Sequence, residues 1–72
     1  MYYIIKSASK GTWGLFLAKK NNYYVVSDYD TVTEKVTIRE EFERFDEADP
    51  RFLALCKEHD VEPENVEHDN FY

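Results

Sequence analysis

The sequence predicts an α+β domain: a three- to four-stranded antiparallel β-meander followed by two or three short helices packed on one face. Three observations carry that reading. Aromatic and β-branched runs crowd into the first 26 residues, and from Ile38 onward apolar residues return at helical spacings of three and four. The 72-residue length leaves room for one small core, so a single domain spans 1–72. A hydrophobic fraction of 43%, with 17% aromatics, is too high for a disordered chain at net charge -6.

Tyr2 to Ile5, Trp13 to Ala18 and Tyr23 to Val26 suit strands, because such side chains pack well on a pleated surface. Lys20-Asn21-Asn22 reads as a tight hairpin, since asparagine tolerates the left-handed backbone that such a turn demands. Ser7 to Thr12, with Gly11, reads as a looser connection. Between Thr31 and Ile38 the alternation of Val32, Glu34, Val36 and Ile38 with Thr31, Thr33, Lys35 and Thr37 predicts a fourth strand.

Thr37 followed three residues later by Glu40 has the form of a capping box, so a helix is expected from Ile38. Ile38, Phe42 and Phe45 would be its inward stripe, with Glu40, Glu43 and Glu47 in one row opposite. Asp49-Pro50 predicts the N-cap and first residue of a second helix running to about His59 on Phe52, Leu53, Leu55 and Cys56. Glu62-Pro63 can open a third, stapled by Val61 and Val66. The expected core joins Phe42, Phe45, Phe52 and Leu55 to Ile4, Leu15, Leu17 and Val25 of the sheet.

Charge divides the chain. Residues 1–33 hold four lysines against two aspartates, and residues 34–72 hold five Lys or Arg against thirteen Asp or Glu. Such asymmetry points to an acidic face that meets a basic partner, or to a surface kept acidic for solubility. Uncompensated like charges along one helix row favour the partner. The candidate protein-binding residues are therefore Glu34, Glu40, Glu43, Asp46 and Glu47, the partner being a protein with a basic surface.

One cysteine, Cys56, excludes an intramolecular disulfide and fits a reducing, cytoplasmic setting. Met1 to Ile5 is far short of a signal peptide's apolar region or a membrane span, which predicts a soluble, unprocessed protein. Cys56, His59 and His68 make a poor zinc set, lacking paired spacings and a fourth Cys or His, so we expect no metal and no cofactor. A thiol nucleophile at Cys56 would need a lowered pKa, whereas its apolar neighbours would raise it; no enzymatic activity is expected. Two glycines, Gly11 and Gly14, cannot build a phosphate-cradling loop.

Lys10 to Leu17 is similar to the Lys-Gly-aromatic-Gly-aromatic strand of cold-shock domains, with one aromatic displaced. The resemblance implies single-stranded nucleic-acid binding by stacking, with Lys10, Trp13, Lys19, Lys20 and Tyr23 as the binding set. Nine Lys/Arg and a pI near 4.7 oppose it, because such modules need a positive groove. The alternative for the segment is structural, Gly14 between Trp13 and Phe16 permitting close packing of a helix.

In length and texture the chain also resembles the small Tyr-, Lys- and Glu-rich proteins of phages and prophages of Gram-positive, Bacillus-type bacteria. Stretches such as Met1 to Lys6 and Lys19 to Tyr24 carry this resemblance. It implies an acidic, protein-binding inhibitor or regulator and assigns no residue. The leading expectation is thus a non-enzymatic binder of a basic, nucleic-acid-binding surface. The alternatives are the single-strand module just described and a small homo-oligomer associating through exposed tyrosines.

Overall fold

The computed structural model describes residues 2–65. Its elements are β1 (Tyr2–Lys10), β2 (Trp13–Lys20), β3 (Tyr23–Asp30), β4 (Arg39–Phe42), α1 (Phe45–Glu58) and β5 (Glu64–Asn65). The sheet order is β4-β3-β2-β1-β5, with every neighbouring pair antiparallel. The α+β class holds, with one helix among the described residues rather than two or three.

Both hairpins at the start of the chain are two-residue turns with the left-handed residue first. Asn21 has φ 57° between β2 and β3, and Gly11 has φ 62° between β1 and β2. The second turn replaces the looser connection expected over Ser7 to Thr12, because β1 continues to Lys10. A bulge between Ile4 and Lys6 adds one residue to β1 and changes its facing.

The largest departure lies between Thr31 and Glu47. Residues 31–38 are not a strand; they form a loop whose N–H groups are taken by aspartate side chains instead of a ladder. Asp30 Oδ1 accepts from the N–H of Val32 (2.8 Å) and of Thr33 (3.1 Å), and Asp28 Oδ1 accepts from the N–H of Thr37 and of Ile38, both at 2.8 Å. The segment expected to start the first helix is β4, paired with β3 through Tyr24 and Phe42, Val25 and Glu41, Val26 and Glu40, and Ser27 and Arg39.

The helix starts at Phe45, five residues before Pro50, and Arg44 is its extended N-cap with φ -130° and no side-chain cap bond. Asp46 and Glu47 in the first turn favour the positive end of the helix. Pro50 is therefore internal, where it lacks the N–H that would reach back to Asp46 and its ring crowds the Asp46 carbonyl. At the other end Asp60 is left-handed, φ 57°, and the Val61 N–H reaches the Cys56 carbonyl at 2.9 Å, closing the helix in the manner of a Schellman turn. Glu64 follows as part of β5 opposite Ser7, where a third helix was expected. Val66, His68 and the terminal Asn70-Phe71-Tyr72 lie outside the described residues.

The core lies between the sheet and α1. Ala8, Leu15, Leu17 and Val26 meet Ala48, Phe52, Leu55 and Cys56, with Trp13, Tyr24, Ile38, Phe42 and Val61 partly buried around them. Leu15, Leu17, Phe52 and Leu55 are inward as expected. Phe42 packs from β4, whereas Phe45 is 38% exposed and Leu53 lies outward. Ile4 and Val25 pair with Ala18 on the opposite face, since the register places Val26, not Val25, beside Leu17. Lys6 reaches Asp49 at 2.6 Å and Arg51 grips Glu40 at 2.9 and 3.0 Å, tying α1 to β1 and β4.

Candidate functional site

The features that gather in space lie at the end of the sheet where the β1–β2 turn and the 31–38 loop meet. Asp28, on β3, is 2% exposed and faces α1. Its carboxylate accepts from the Thr37 N–H and Ile38 N–H, from the Thr37 hydroxyl at 2.5 Å and from the Trp13 indole N–H at 2.9 Å. Burial alone would raise its pKa; the bonds from the Thr37 hydroxyl, the Ile38 N–H, the indole and the Thr37 N–H together hold it below the ordinary carboxylate value.

Asp30 performs the same task for the exposed half of the loop. The N–H groups of Thr33 and Val32 hold its carboxyl below the usual range, and the Thr12 hydroxyl lies 3.3 Å from each of its oxygens. The Glu34 N–H reaches the Asp30 carbonyl, the Asp30 N–H reaches Lys35, and the Thr31 N–H crosses to Thr12. A loop so tethered nonetheless presents aliphatic side chains to solvent: Val32 is 71% exposed and Val36 51%.

Beside this loop, on the sheet face away from α1, runs an apolar groove of about 530 Å³. Phe16, Tyr29 and Val36 are among its walls, and Gly14 is among its lining. Gly14 pairs with Ser9 and Tyr29, so its missing side chain lies on this face and not under the helix. That corrects the structural account of Gly14. Its backbone is not left-handed, and a Cβ built there meets only the carbonyl oxygens of Ala8 at 3.8 Å and Tyr29 at 4.0 Å.

The expected acidic row does not form, because its members occupy three different elements. Glu40 lies on β4 and is held by Arg51, whose hydrogen bonds lower its pKa; Asp46 is clasped by Arg44 at 2.8 and 3.0 Å. Glu43 stands at the bend before α1 and lines a separate hollow of about 540 Å³ with Asn22, Tyr23, Glu41 and Phe42. Glu47 is exposed in the first turn of α1, and Glu34 sits at the loop with φ 58°.

Nor does the nucleic-acid set assemble. Lys10 and Trp13 are at one end of the sheet and Lys19, Lys20 and Tyr23 at the other, about 20 Å away along β2. The Trp13 ring packs on the His59 ring at 4.6 Å while its N–H serves Asp28, so it is engaged on both counts. Lys19 lies 5.7 Å over the Tyr24 ring.

Cys56 is buried in the core; burial first and the Glu62 carboxylate second push its thiol pKa up, opposite to the need of a nucleophile. Among the described residues no group of three His, Cys, Asp or Glu could hold a metal ion, and no helix is long and apolar enough to cross a membrane. His68 lies outside them. Comparison with protein-family models, with curated proteins and with solved structures returned no match to this chain.

Sequence reading missed Asp28, Tyr29 and Val36. The available signal was Asp28-Tyr29-Asp30 just before a Thr-rich run, since aspartate followed by such residues favours side-chain-closed turns.

Proposed function

We propose that the protein is a non-enzymatic binding module for a partner protein with a basic surface, acting as an acidic inhibitor or regulator. The observation that carries this reading is the imbalance of ion pairing. Lys6, Arg39, Arg44 and Arg51 are each matched to a carboxylate; among the described residues the surface carboxylates without an ion pair, Glu34, Glu43, Glu47, Glu58, Asp60, Glu62 and Glu64, outnumber the lysines without one, Lys10, Lys19, Lys35 and Lys57. Unmatched surface carboxylates on a chain of net charge -6 attract cations over about a Debye length and speed encounter with them.

The test is capture from a host lysate, followed by titration of the purified captured protein with parent and with Glu34→Lys/Glu43→Lys/Glu47→Lys. Glu40 and Asp46 are left alone because their arginine pairs are internal. The variant should bind at least about tenfold more weakly at low salt, with a shallower salt dependence. Equal affinity at low salt would reduce the carboxylates to a solvated surface.

A further inference from the structure

We draw no further inference here: the strongest candidate, the apolar groove beside Gly14 and Phe16 on the sheet face away from α1, has as its one charged lining residue the buried and fully hydrogen-bonded Asp28, and nothing in the structure shows what covers it.

Discussion

The indole N–H of Trp13 donates to Asp28 Oδ2 at 2.9 Å, and the same carboxylate holds the backbone of Thr37 and Ile38. One buried side chain thus couples the start of β2 to the loop that walls the groove. Three N–H donors and one hydroxyl depend on it, and each buried donor left without a partner costs about 1–3 kcal/mol.

Asp28→Ala should therefore destabilise the fold by about 3 kcal/mol or more and release the loop. Urea denaturation measures the first effect, and hydrogen exchange at Thr37 and Ile38 the second. A loss below about 1 kcal/mol would mean that water replaces the carboxylate without penalty.

The same residue sets an acid limit on stability. Its folded pKa lies below the unfolded value, so its contribution is complete above about pH 4 and is lost as pH falls through the lower folded value. Asp28→Asn should flatten that part of the stability profile. Parallel acid profiles for parent and variant would assign the acid loss to other carboxylates.

Phe52 and Phe45, both on α1, should respond differently to truncation. Phe52 is fully buried, and Phe52→Ala should cost about 3–5 kcal/mol; Phe45 is 38% exposed, and Phe45→Ala should cost about 1 kcal/mol. Thermal melts of the two variants decide, and equal losses would show that the helix is rotated from the orientation described.

Arg51 should contribute little by itself. Its bidentate pair with Glu40 is roughly two-fifths exposed on both sides, so Arg51→Ala should cost no more than about 1 kcal/mol after solvent screening. The loss should shrink further at high salt. A larger, salt-independent effect would indicate lost packing of the arginine stem.

Neither the thiol nor metal should matter to the native state. Cys56 is buried with a raised pKa, so it should react with a thiol reagent only at the rate of unfolding or local opening. Far-ultraviolet circular dichroism should be unchanged after purification in a chelator. Stoichiometric zinc by elemental analysis would return Cys56, His59 and His68 to the list of ligands.

The sequence by itself determined where the first three strands begin, the Asn21 turn and the inward placing of Leu15, Leu17, Phe52 and Leu55. Those features follow from local propensity, from the backbone tolerance of Asn and from short-range periodicity, all of which act within a few residues. Only the tertiary structure decided residues 31–47. Ile38 and Phe42, four apart, share a face in a strand and also in a helix, so their spacing could not separate the two. The decision came from Asp28 and Asp30, whose carboxylates claim the N–H groups of residues 32, 33, 37 and 38, and from β3, which offered the next segment an open edge. Once residues 39–42 became β4, the acidic row ceased to exist as a row. The face on which Gly14 lies, by contrast, follows from the alternation that turns its neighbour Leu15 inward, and was legible within β2 itself.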